Sequence, residues 1–361
     1  MSRTGRRLRP GGPASRFRGE IMAALDPADH PPAAQIAAAH LVPEATIAKR
    51  ISRAVIVPLP ARHGRAVRCC QCRGARKKGV PMADERGQAV SENRGEPPSF
   101  DTSVAHVARV YDYWLGGKDN YAADRAAGDQ AIKAFPNIVL SARANRAFQA
   151  RVVRFLAGET GIRQFLDIGT GIPTANHTHQ VAQSVAPESR VLYVDNDPIV
   201  LAHARALLTG HPAGATDYID ADLRDPARIL DGAPKLLDFG RPVAVMLMAI
   251  LQHIGDEHDP YMIVHTLLGA VPPGSYLALS HPAKDIDAAA MAKMAVVLNQ
   301  MMAEKVTFRD RAAVARFFDG LTLVEPGLVQ ASKWRPTTAA EAASPAALWT
   351  GVARKEDQRT R

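Results

Sequence analysis

Thiols are nearly absent from this 361-residue chain: its three cysteines, Cys69, Cys70 and Cys72, sit together in "CCQCR" with no second pair. That spacing supplies neither a disulfide framework nor a four-ligand zinc site, so the thiols read as incidental and no metal is expected. Long apolar runs are lacking too. The longest, "VAVMLMAIL" at 243–251, is less than half of the roughly 20 residues that a membrane-spanning helix needs, and it reads as a buried strand. The Arg-rich start carries no continuous apolar segment of the secretory kind, so a cytoplasmic location is expected. Basic charge is missing from most of the chain, although the formal net charge is +9. Residues 1–81 hold 16 Lys+Arg against 4 Asp+Glu, net +12, which leaves 29 against 32, net −3, for residues 82–361. A body of that sign offers no groove for DNA or RNA, so no specific nucleic-acid partner is expected.

What is present falls into three segments. Residues 1–100 are rich in Arg, Pro, Gly and Ala with weak periodicity and read as a disordered basic leader. Within it "EATIAKRISRAVIV" can form a basic amphipathic helix, but no membrane partner is expected. Met82 opens "MADERGQAV", which suggests a translation start there and leaves 1–81 outside the native protein. Residues 101–160 read as helices: Val104, Ala108, Tyr111 and Leu115 share a face, Gly116 and Gly117 stop that helix, Asp119 or Asn120 can cap the next, and Ser141 can cap a third bearing Phe148, Val152, Phe155 and Leu156. From residue 161 to 356 short apolar runs alternate with helical stretches, which predicts βαβ units in a doubly wound, mostly parallel α/β sheet. Seven strands are expected, the last two, "LTLVEPGLV" and "LWTGVARK", antiparallel at one edge. In such a sheet the ligand crevice lies at the carboxyl ends of the early strands.

The first of those ends reads "FLDIGTGIPT". Gly169 and Gly171 flank Thr170 as the first two glycines of a dinucleotide loop would, but Thr174 stands in place of the third. Asp167 ends the strand just before the loop, where a pyrophosphate would meet a second negative charge. A carboxylate there suits an ammonium or a sulfonium, and S-adenosylmethionine carries both without a phosphate. Asp195, 28 residues on in "VLYVDNDP", is placed to accept from ribose hydroxyls with Asn196 beside it, while Asp197 before Pro198 can cap a helix. In "IDADLRDP", Asp222 can accept from an adenine amino group while the Leu223 backbone N–H donates to the ring, unless Asp222 is a helix cap.

Together "ARVYDYWLGGKDNYAADR", "ARANRAF", "QFLDIGTGIPT", "VLYVDNDPIVLAHARALL" and "FFDGLTLVEPGLV" with "WRP" resemble a bacterial family of S-adenosylmethionine-dependent methyltransferases long catalogued as a domain of unknown function. The resemblance covers about residues 100–356. It implies a Rossmann-like class I methyltransferase fold with an N-terminal helical cap, and S-adenosylmethionine as cofactor. It implies that Asp167, Gly169, Gly171, Asp195 and Asp222 hold the cofactor, under a lid containing Gly116, Gly117, Lys118 and Asn120. The sequence departs from the family pattern in "ILQHIGD", where Gln252 stands in a stretch often richer in His.

The implied reaction is methyl transfer to a small-molecule acceptor, the alternative being a regulator that binds the cofactor without turnover. The electrophile is already activated, so a base is needed only for a protonated acceptor. His253 is the candidate, with His281 behind it. His177 and His179, two apart, would point about 200° apart on a helix, which argues against a metal pair. Tyr111 and Tyr113 can shape the acceptor pocket, and the methionines of 287–304 can cover it.

Overall fold

The computed structural model describes residues 101–173, 176–207 and 210–357. The leader, the suggested start at Met82 and Thr174 lie outside the described residues.

Five parallel strands form the centre of the sheet: β1 (Gln164–Ile168), β2 (Arg190–Asp195), β3 (Ala215–Asp220), β4 (Ala244–Met248) and β5 (Tyr276–Pro282), paired in the order β3-β2-β1-β4-β5. Side chains alternate between two faces, as the strand period of two requires. Leu166, Ile168, Val245 and Leu247 enter one core, whereas Phe165, Tyr193, Met246 and Ala278 enter the other. Both faces are therefore dry over β1, β2, β4 and β5, which is why these strands read as apolar runs, whereas β3 at the sheet edge is only partly buried. Asp167 shares the alternation of Phe165 and points to the second face, which α3 (Ile138–Gly158) and α4 (Thr178–Val185) cover.

The far edge turns antiparallel, with one refinement of the expected seven strands. β8 (Leu348–Arg354) pairs antiparallel with β5, and "LTLVEPGLV" forms two short strands on its other side, β6 (Thr322–Leu323) and β7 (Val329–Gln330). Pro326, which has no N–H for the ladder, and Gly327 at φ +83° break the run between them.

The helical segment is α1 (Val107–Leu115), α2 (Ala122–Ala134) and α3, packed with α8 (Ala288–Met301) around a third core containing Val110, Trp114, Phe135 and Met294. Between them lie α5 (Pro198–Leu207), α6 (Pro226–Gly232) and α7 (Pro260–Gly269) against the sheet. Two expected caps are corrected. The cap residue of α2 is Tyr121, and that of α3 is Asn137; Ser141 lies inside α3, where its Oγ accepts from the Ala347 N–H at 3.1 Å.

One buried carboxylate organises the cap. Asp124 accepts from the His106 N–H (2.9 Å), the Tyr121 N–H (2.8 Å) and Arg109 Nε (2.9 Å). Removing one partner of a buried pair leaves the other charge uncompensated, at a cost of about 3–5 kcal/mol. Asp124→Ala is expected to lose stability on that scale in urea denaturation, with the loss spread over α1 and α2 by hydrogen exchange.

Candidate active site

One cleft opens over the carboxyl ends of β1 to β4, and Asp167, Gly169, Thr170, Gly171, Asp195, Asn196, Asp222, Leu223 and His253 all line it. Three strand tips thus bring their carboxylates to one space. The loop after β1 is shaped by its glycines. Gly169 has φ +73° and a Cβ there would collide with the Ile250 side chain, while Gly171 has φ +64°. The Gly171 N–H donates to Asp195 Oδ2 at 2.9 Å, tying the first loop to the second strand.

Each carboxylate has a distinct environment. Asp167 is buried and accepts from Thr178 Oγ1 at 2.6 Å. Burial pushes its pKa up to about 6, against the Thr178 hydrogen bond and the nearby Arg146. Asp195 is half-buried, accepts from the N–H groups of Gly171 and Asp197, and is also raised, by burial. Asp197, not Asp195, caps α5, accepting from the Ile199 N–H at 2.8 Å. Asp225, not Asp222, caps α6. Asp222 is instead gripped by Arg224, with Nε and Nη2 at 2.9 and 2.7 Å, and accepts from Asn196 Nδ2 at 3.1 Å. Burial raises the Asp222 pKa, but the Arg224 bonds outweigh it and the net shift is downward.

The lid residues are not in the cleft wall. Gly116 is the left-handed end of α1, Lys118 is exposed, and Gly117 and Asn120 wrap a carboxylate that does line the cleft, Asp112. Asn120 Nδ2 donates to Asp112 Oδ2 at 2.9 Å and the Asp119 N–H at 3.0 Å, while a Cβ on Gly117 would run into the Asp112 carboxylate. Asp119 and Asn120 serve this turn rather than a helix cap. Tyr113 also leaves the pocket, donating to Asp129 Oδ1 at 2.7 Å, whereas Tyr111 lines it.

His253 lines the cleft beside Gln252. Burial drives its pKa down to about 4, against a smaller pull from the Lys305 backbone, and its Nε2 lies 3.1 Å from Gln252 Nε2. His281 is off the cleft, pressed to a pKa of about 3 by burial, with Arg309 Nη1 3.1 Å from its Nε2. His177 precedes α4, so the angular argument fails for it. Both His177 and His179 are buried against Tyr193, and His179 Nδ1 lies 2.8 Å from the tyrosine hydroxyl.

Several lining residues were not anticipated: His106, Asp112, Arg146, Gln149, Arg224 and Glu304. For Arg146 and Gln149 a signal existed, since two polar residues interrupt the buried face of α3 close to Phe148 and Val152. His106 comes from the cap and sits 2.9 Å from Asp197 Oδ2. Burial opposes its charge, but the Asp197 pairing leaves its pKa raised.

Residues 93–356 match the family model of S-adenosyl methyltransferases, and the chain belongs to that family, whose cofactor is S-adenosylmethionine. It is similar to a DUF574 family protein from Streptomyces avermitilis MA-4680, at 48% identity over 71% of this chain and 99% of that one, with a TM-score of 0.69. It is also similar to a candidate methyltransferase from Thermobifida fusca YX, at 41% identity over 71% of this chain and 97% of that one, with a TM-score of 0.66. No curated protein matches the chain.

Asp167 generates a test independent of any ligand. Its folded pKa of about 6 exceeds the ordinary 3.8, so folding takes up a proton between those values. This group's contribution is most favourable at low pH and is lost as pH rises through about 6. Asp167→Asn is therefore expected to raise stability at pH 7.5 by about 1–3 kcal/mol and by much less at pH 4, read as urea midpoints.

Proposed function

We propose that this S-adenosylmethionine-dependent methyltransferase acts on a small-molecule acceptor held between the strand tips and the helical cap. The observation that carries this reading is the convergence of Asp167, Asp195 and Asp222 with two left-handed glycines on a single cleft whose upper wall is apolar. The residues fit the cofactor. Asp167 would take the ammonium and Arg146, in the same wall, the carboxylate of the amino-acid end. Asp195 has lone pairs left for ribose hydroxyls, and the Leu223 N–H with Asp222 would meet the adenine edge, Arg224 sharing the carboxylate. A pyrophosphate would add its charge to these same acids, which disfavours a dinucleotide.

When bound, the sulfonium supplies an activated methyl group, so the chain's own task is alignment and exclusion of water. The cap does the excluding, through the side chains that α1 and α8 hang over the cleft. His253, expected as a base, is better read as an orienting group. A side chain with a pKa of about 4 is a weak proton acceptor at neutral pH, and its Nε2 already meets Gln252. A macromolecular acceptor is disfavoured by the net −3 of residues 82–361 and by the enclosure of the cleft under the cap.

Calorimetry with S-adenosylmethionine and NAD tests the cofactor, and transfer of labelled methyl into a metabolite extract separates an enzyme from a silent binder. Asp195→Ala is expected to weaken S-adenosylmethionine by roughly 1–3 kcal/mol, the scale of hydroxyls deprived of a charged acceptor. Unchanged affinity would place the ribose elsewhere.

A further inference from the structure

The cleft has two chemically different halves. Over the strand tips it is lined by acids, but above them its wall is Tyr111, Trp114, Phe135, Met291, Met294 and Phe308. Each described charged side chain that reaches this space has a polar partner. Arg146 Nη1 donates to Gln149 Oε1 at 2.8 Å, Asp112 is held by Asn120, Arg224 grips Asp222, and Glu304 lies 3.8 Å from Arg224. His106 is paired with Asp197. A charged acceptor would lose its hydration against the aromatic and methionine wall.

Two neighbouring side chains carry a buried polar atom without a hydrogen-bond partner where β4 ends and an acceptor would meet the methyl group, His253 at Nδ1 and Gln252 at Oε1, and the second is an acceptor in a fixed orientation. Gln252 is buried, its Nε2 donates to the Ala249 carbonyl at 2.6 Å, and its Oε1 has no hydrogen-bond partner. The amide cannot be turned over, because a carbonyl can only accept and would then face Oε1. Ala249 itself is held at φ +52°, a conformation costly for a residue with a Cβ, and its N–H is fixed by the Ser280 carbonyl at 3.1 Å. Strain at this point thus fixes the orientation of the glutamine. A buried amide oxygen without a donor is unfavourable, and a ligand N–H or O–H would satisfy it. Asn145 Oδ1 is also unbonded, on α3, where Asn145 Nδ2 donates to the Tyr111 hydroxyl at 3.0 Å rather than at the end of β4.

We infer that the acceptor is an uncharged, largely apolar molecule that presents an O–H or N–H to Gln252 Oε1, which positions the heteroatom to be methylated. This rests on the cofactor reading above. The test uses the full chain loaded with S-adenosylhomocysteine and three probes sharing one ring system: 2-naphthol, 2-methoxynaphthalene and 2-naphthoate, titrated by calorimetry. Naphthol is expected to bind about tenfold more tightly than its methyl ether, the scale of one hydrogen bond to a buried group, with naphthoate the weakest. In Gln252→Met, of similar volume but without the oxygen, naphthol should fall to the affinity of the ether. The inference is overturned if naphthoate binds best, if wild type does not distinguish naphthol from its ether, or if none of the three binds. Absence of S-adenosylhomocysteine binding would instead overturn the cofactor reading.

Discussion

The hydrogen bond from the Gly171 N–H to Asp195 is the constraint on which the site depends. Two carboxylates, Asp167 and Asp195, end adjacent parallel strands, where burial raises both pKa values. Strand tips in a doubly wound sheet point into a crevice by construction. The two sites therefore cannot separate, and ionised acids there must be stabilised by donors rather than by distance. Thr178 and Gln149 serve Asp167, and the loop backbone serves Asp195. The left-handed glycines are what bring that backbone close enough to donate. A side chain on Gly169 would run into Ile250, in the segment that also holds Gln252. The loop after β1 and the segment after β4 thus set each other's position.

The cap is fastened to the sheet by the same chemistry. His106 pairs with Asp197, which follows β2, and Asp119 pairs with His203 of α5 at 3.3 Å. Both ties join a cap residue to the βα unit that carries Asp195. In both pairs the carboxylate holds the imidazole pKa above its ordinary value, so each tie is strongest with the histidine protonated and weakens as pH rises through the raised value. Arg109 and Asp124 hold the cap's own helices together by a separate buried pair.

Much of the sheet was legible in the sequence because its signals are local. An apolar run that ends on an acid marks a buried strand and its turn, as at Asp167, where glycines follow, and at Asp195, where a proline-led helix follows, while Asp222 lies two residues beyond a half-exposed strand. Pairing order and the split of "LTLVEPGLV" into β6 and β7 depend on which strand lies alongside, so only the proline hinted at the break. The cap was the opposite case. Gly116 and Gly117 read correctly as a helix stop, but the carboxylate they enclose, Asp112, belongs to the helix before them and carries no local sign of burial. Ser141 looked like a cap by composition and instead serves an amide 206 residues away. Arg224 was overlooked because a charge two residues after an acid reads as surface, yet in this turn it folds back onto Asp222.

The division of polarity across the cleft follows from how its two halves are built. Residues at strand tips are set by backbone geometry, so a polar side chain there can be held by loop N–H groups and remain ionised. Residues on helix faces have no free backbone donors within reach, because the helix uses its own. Charges on α1 and α3 must accordingly bring their own partners, as Asp112 and Arg146 do, and the rest of the helical wall is left apolar. Methionines suit such a wall because an unbranched thioether can adjust to the shape of a guest without a large rotamer penalty.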